Sequence, residues 1–280
     1  MVITVNLANR PVDDRRYSPR VRPPMPDLSR GARRLGASAA CLLLGAASAC
    51  STPQESATSP TTAGSAHVAA TSVVFVGDSL AEQSAPYLQP IVGGRAFVPQ
   101  VFGGTAPCDW LGKDLQATAT SVVILSFAGN SGTDCMADGS GGFLRGQALV
   151  DKYRTDLTAL VAQVRATGAQ VLLVGQPQRL GEVDVDAEVA GINQIYNELL
   201  QPGAVSFVDA GAAVEGAAGA FTVTLPCLPG EAECGPDGNN VVRSDDGVHF
   251  CPGANPKPCN VYSSGAFRFA SAIAAALVAL

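Results

Sequence analysis

The chain has 280 residues, of which 47% are hydrophobic and 15% charged, enough apolar material for a substantial core. A net charge of −6 gives no sign of a nucleic-acid partner. Such a composition excludes a disordered chain as a whole, because buried apolar area can offset the ordering entropy.

The N-terminal quarter is expected to be organised by targeting rather than folding. Arg30, Arg33 and Arg34 precede a short apolar run that ends in small residues, Ala47-Ser48-Ala49, before Cys50. A basic region, an apolar run and small residues before a cleavage point predict an export signal. The end of this segment resembles a bacterial lipoprotein signal, which implies a lipid on Cys50 and a membrane as partner, although Ala47 stands where leucine is more usual. Plain secretion is the alternative, and a transmembrane span is disfavoured because the run is short. Residues 1–24 are too polar for such a signal, so Met25 is expected to be the translation start. Residues 51–71, rich in Ser, Thr, Ala and Pro, are expected to form a tether. The expected organisation is therefore a leader at 1–50, the tether at 51–71 and one domain at 72–280.

The domain opens with VVFVGDSL at residues 73–80, an apolar strand that runs into a tight turn and then into good helix formers. Ser79 then sits at a helix start, where free N–H groups and the helix dipole favour a developing anion. The bland alternative is that Ser79 is only an N-cap. Next, residues 98–105 predict a strand that ends in Gly103-Gly104, whose backbone N–H groups are free to donate. Residues 121–127 predict a central strand that ends in Gly129-Asn130, with an amide able to point into a cleft. Donors of this kind can each be worth about 3 kcal/mol toward a tetrahedral oxyanion, although Gly and Asn are also ordinary turn residues.

Further along, residues 152–166 carry a helical apolar stripe, 169–175 a buried strand, 186–200 another helix and 205–209 a last short strand. Residues 221–243, rich in Gly, Pro and Cys, read as an ordered insertion, and 264–280 as an Ala-rich final helix. Strand and helix alternation predicts an α/β fold, a three-layer α/β/α sandwich on a mainly parallel sheet. In such sheets sites lie at the carboxyl ends of strands, where Ser79, Gly104 and Asn130 all fall.

The chain has two histidines. His67 falls in the tether, leaving His249 as the base that Ser79 requires, with Asp246 three residues earlier to fix its tautomer. In order, Gly77-Asp78-Ser79-Leu80, Gly103-Gly104, Gly129-Asn130 and Asp246-Gly-Val-His249 resemble the four blocks of the SGNH (GDSL-type) hydrolases. The resemblance covers most of residues 72–280 and implies Ser79 as nucleophile, His249 as base and Asp246 as its orienting acid. The Ser79 N–H, a backbone N–H of Gly104 (or Gly103) and the Asn130 amide would form the oxyanion hole. The third block departs from the family's Gly-x-Asn-Asp, since Ser131 follows Asn130. Such a departure is similar to SGNH domains that modify cell-surface glycans. The implied activity is cleavage or transfer of a small acyl group, acetate preferred, on an envelope glycan or lipid.

Of eight cysteines, Cys41 lies in the leader and Cys50 at its end. The other six are expected to pair in an exported protein as Cys108–Cys135, Cys227–Cys234 and Cys251–Cys259, each bracketing a loop near a catalytic block. A metal site is disfavoured for want of paired Cys-x-x-Cys ligands and spare histidines. No cofactor is expected, and the chain is expected to be a monomer acting on a small-molecule or glycan ester. A non-catalytic glycan-binding module on the same fold is the competing class. A nucleotide-binding domain is disfavoured because no Gly-x-Gly-x-x-Gly follows the first strand.

Overall fold

The computed structural model describes residues 70–181, 183–253 and 259–280. The leader and the tether as far as residue 69, with Cys50 and His67, lie outside the described residues; Thr71, expected in the tether, is already tied to the domain, its N–H donating to the Thr120 carbonyl at 2.9 Å. In chain order the elements are β1 (Ser72–Gly77), α1 (Ser79–Leu88), β2 (Ala96–Val101), β3 (Ser121–Ser126), α2 (Gly146–Arg165) and β4 (Gln170–Val174). They continue with α3 (Val183–Glu198), β5 (Val205–Val208), β6 (Thr224–Pro226), β7 (Asn239–Val241) and α4 (Ser264–Leu277).

Five strands form one parallel sheet in the order β2-β1-β3-β4-β5. The central strands are apolar along their whole length because both faces are covered. Their period-2 alternation sorts each strand between two cores. Val74, Val76, Val123, Leu125, Val171 and Leu173 face the layer of α2 and α3, packing with Tyr153, Leu157, Ile192 and Tyr196. Val73, Phe75, Val122, Ile124, Leu172 and Val174 face the layer of α1 and α4, packing with Leu80, Leu88, Phe269 and Ile273. Each fully buried side chain of this size contributes about 1.5–3 kcal/mol, so both helical layers are held independently. The result is the three-layer sandwich expected from the alternation.

Order β2-β1-β3 puts the chain's first strand inside the sheet and reverses the winding there, so a crevice opens at the carboxyl ends of β1 and its neighbours. The insertion before α4 is ordered, with an antiparallel pair of β6 and β7 that the sequence did not predict. The observed α2 begins six residues before the expected start. No side chain of its own first turn caps it; instead Glu188 of α3 takes the N–H of Gly146 at 2.6 Å. Among the described residues no helix is long and apolar enough to cross a membrane.

Candidate active site

β1 reaches the crevice at Gly77, where a Cβ would stand 2.4 Å from the Ser126 carbonyl oxygen and 2.6 Å from the Ala81 Cβ. Glycine is thus required by the close approach of β3 and α1 rather than by an unusual φ. Asp78 is the N-cap, its Oδ1 accepting from Leu80 N–H at 3.1 Å. This leaves Ser79 as the first helical residue, only 5% exposed, so the N-cap role considered for it belongs to its neighbour.

The loop from Ser244 to His249 closes over the helix start. Ser79 Oγ lies 2.9 Å from His249 Nε2, and His249 Nδ1 lies 2.7 Å from Asp246 Oδ2. The other oxygen, Asp246 Oδ1, accepts from the N–H groups of Val248 at 2.8 Å and His249 at 2.9 Å. Partial burial raises the Asp246 pKa, but bonds from the His249 backbone, its ring and Val248 outweigh that and hold the carboxyl below its ordinary 3.8. An ionised acceptor therefore fixes the Nδ1–H tautomer and leaves Nε2 to take a proton from Ser79. Gly247, at φ +73°, makes the turn that lets one carboxylate meet both the backbone and the ring three residues on.

Gly103 and Gly104 follow β2, as expected. The Gly103 N–H is occupied, donating to Glu82 Oε2 of α1 at 2.8 Å. Gly104, at φ +85°, has an N–H with no acceptor among the described residues, which favours it over Gly103 as a donor. Asn130 lies at the end of the β3 segment. Its Nδ2 donates to Asp78 Oδ2 at 3.1 Å and to the Thr105 carbonyl at 3.2 Å. Its own carbonyl accepts from Tyr153 Oη at 2.9 Å, so α2 anchors this loop.

Several organising residues were missed by sequence reasoning. Asp78 of the first block is one of them. Its Oδ2 also accepts from Ala128 N–H at 2.6 Å, and the group is fully buried. Burial is the largest influence on it and, against these hydrogen bonds, pushes its pKa from 3.8 up to about 6. Gln83 stands one turn beyond Ser79, and its Oε1 accepts from Phe250 N–H at 2.8 Å and Cys251 N–H at 3.3 Å. Its i+4 spacing was the available signal. Arg243 is fully buried, its pKa lowered by burial to about 10, and it is still charged at neutral pH. It donates to the carbonyls of Gln178 at 2.9 Å and Val248 at 2.8 Å, gripping the His249 loop from its far side. No local pattern marks that residue.

The six cysteines pair as Cys108–Cys135, Cys227–Cys234 and Cys251–Cys259. The first joins the segment after Gly104 to the segment after Asn130, and the third begins two residues after His249. Among the described residues, one Cys/His/Asp/Glu group is close enough to hold a metal ion, Cys108, Asp109 and Cys135. Its two sulfurs are bonded to each other and offer no thiolate.

A family model described as "Protein of unknown function (DUF459)" matches residues 107–257, more than half of the chain. No curated protein matches. Among solved structures, the chain is similar to a GDSL-like lipase from Bacteroides thetaiotaomicron, at 14% identity and TM-score 0.48, over 75% of this chain and 89% of that one. It is likewise similar to a carbohydrate esterase family 3 protein from Talaromyces cellulolyticus, at 17% identity and TM-score 0.48, over 74% and 96%. A third likeness is to the C-terminal catalytic domain of a Streptococcus pneumoniae peptidoglycan O-acetyltransferase, at 16% identity and TM-score 0.44, over 76% and 95%. At these identities the likeness is one of fold alone.

Proposed function

We propose that this chain, which belongs to the DUF459 family of proteins of unknown function, is an exported serine esterase of the SGNH type that acts on a short acyl ester. The observation that carries this reading is the continuous relay from Ser79 Oγ through His249 to Asp246, with contacts of 2.9 and 2.7 Å. A serine hydroxyl is a poor nucleophile until a base takes its proton during attack. His249 Nε2 is that base, and the ionised Asp246 stabilises the imidazolium that forms.

Attack on the ester carbonyl gives a tetrahedral oxyanion at the first turn of α1. The N–H groups of Ser79 and Gly104 donate to it, and Asn130 joins by turning the hydrogen now held by the Thr105 carbonyl toward the intermediate. His249 then protonates the leaving alcohol, which departs and leaves an acyl-serine. Water attacks that ester with His249 again as base; its oxygen enters the acid and its proton restores Ser79. A second hydroxyl in place of water would make the same residues a transferase.

Export fits the three disulfides, which persist in oxidising compartments. A lipid on Cys50 would hold the domain at a membrane surface through the tether, next to envelope glycans or lipids, with acetate as the preferred acyl group. The test is a panel of p-nitrophenyl esters of rising acyl length. Turnover greatest for the acetyl ester and abolished in Ser79→Ala supports the reading. Equal rates for the two proteins would reduce the domain to a binding module.

A further inference from the structure

The two sides of the crevice differ in a way that bears on the alcohol part of the ester. On the β2 side, Phe102 is 60% exposed although it is a large aromatic residue on the lip of the site. Its N–H donates to the Gly77 carbonyl at 3.0 Å, two residues before the nucleophile. One face of its ring is stacked on Trp110 at 5.9 Å and 27°, and Trp110 is itself buried. Thr105 locks the unit: its hydroxyl donates to the Phe102 carbonyl at 2.8 Å, and its own carbonyl accepts from Asn130. A rigid aromatic face is thus held open to solvent beside the oxyanion donors.

On the β4 side lies an open cavity of about 360 Å³, lined by Gln178, Arg179, Leu180, Gly181, Gly219, Ala220 and Phe221. Its wall is tied to the catalytic loop, since Leu180 N–H donates to the Gly247 carbonyl at 2.9 Å and Arg243 donates to the Gln178 carbonyl. Its lining mixes amide, guanidinium and peptide groups with the side chains of Leu180 and of Phe221, whose ring is itself backed by Arg243. Such a wall offers hydrogen-bonding groups to the hydroxyls of a ligand beside an apolar face. In the sheet order β2-β1-β3-β4, Ser79 lies between these two features. The strands that lead into them, β2 and β4, stand three strand spacings apart, roughly 14 Å, more than one pyranose ring can span.

We infer that the site takes an internal stretch of an O-acylated glycan chain, with one sugar stacked on Phe102, another in the cavity at Phe221, and the scissile ester between them. This rests on the esterase reading above and adds to it the substrate class and the mode of binding. An aromatic face gathers the C–H side of a sugar ring while the polar wall meets the hydroxyls of the next sugar. Binding energy from those remote units is then available to hold the ester against Ser79.

The experiment compares p-nitrophenyl acetate with O-acetylated oligosaccharides of one to five β-1,4-linked sugars, in a xylose series and an N-acetylglucosamine series. The full chain, Phe102→Ala and Phe102→Tyr are assayed alongside Ile91→Ser, a surface control in the segment after α1. In the wild type, kcat/KM should rise at least about tenfold from one sugar to four in at least one series, chiefly through KM. Phe102→Ala should lower the ratio of tetrasaccharide to p-nitrophenyl acetate kcat/KM by about tenfold; Phe102→Tyr should restore most of it and Ile91→Ser leave it alone. Turnover of p-nitrophenyl acetate with no rise in either series overturns the inference and leaves the esterase reading standing. So does a rate that climbs with acyl chain length instead, which would mark a lipid substrate. Loss of turnover on every ester would sink the esterase reading first.

Discussion

Replacing Asp78 with asparagine tests how the first block of the site is held together. The carboxylate accepts three N–H groups, from Leu80, Ala128 and Asn130, in a fully buried position. An asparagine has one oxygen to offer them, so at least one N–H faces an NH2 and loses its partner, at a cost of about 1–3 kcal/mol. Opposing this, burial pushes the wild-type pKa from 3.8 to about 6. At about 1.4 kcal/mol for each pKa unit, keeping the ionised form buried costs the folded state about 3 kcal/mol. The sign follows from linkage. Between these pKa values the folded protein binds the extra proton, so this contribution to stability is complete below 3.8 and lost as pH rises through about 6. Asparagine has no such dependence. The two proteins should therefore be similarly stable at about pH 8, while at about pH 4 Asp78→Asn should be the less stable by roughly 2–3 kcal/mol. Urea denaturation of both proteins at the two pH values measures the difference, with the other titrating groups cancelling. A gap that stays constant with pH would refute the reasoning. Because Asn130 loses its anchor, kcat should also fall at least about tenfold.

Asp246→Asn should lower kcat by about 10²–10⁴-fold through loss of the Nδ1–H tautomer, with KM within about threefold of wild type; steady-state kinetics with p-nitrophenyl acetate decide this, and a loss confined to KM would contradict the assigned role. Replacing both Cys108 and Cys135 with alanine opens a loop of sequence separation 27, and denaturant unfolding should register a loss of roughly 3–4 kcal/mol on the chain-entropy model. A loss below about 1 kcal/mol would mean that the loops on either side of Asn130 are already fixed without the bridge. Gly77→Ala would place a methyl group 2.4 Å from the Ser126 carbonyl oxygen, and overpacking of this kind costs about 1–3 kcal/mol or more. Its thermal midpoint should drop and its activity with it, and an unchanged melt would mean that β1 and β3 can part there.

The sheet was legible because burial on both faces writes itself into the strands as unbroken apolar runs, as in residues 73–76 and 122–125. Helix starts were less so where the cap comes from elsewhere in the fold. The N–H of Gly146 is capped by Glu188 on another helix, and nothing within six residues of it announces that contact. The same division holds at the site. Ser79, Gly104, Asn130, Asp246 and His249 stand in motifs with turn residues around them, and each falls at the crevice. Arg243 and Tyr153 act by touching backbone atoms, which any sequence supplies, so their partners leave no trace in the chain. Gly103 could not be separated from Gly104 by sequence, because the choice turns on Glu82 taking one of the two N–H groups.

The central claim is that Ser79 becomes a nucleophile because His249 relieves it of a proton. Intact-mass and peptide mapping after treatment with a fluorophosphonate test it most directly, on the wild type, Ser79→Ala and His249→Ala. One covalent adduct on the peptide that carries Ser79, absent from Ser79→Ala and slowed by orders of magnitude in His249→Ala, is the predicted result. An unlabelled wild type, or labelling at the same rate without His249, would contradict it.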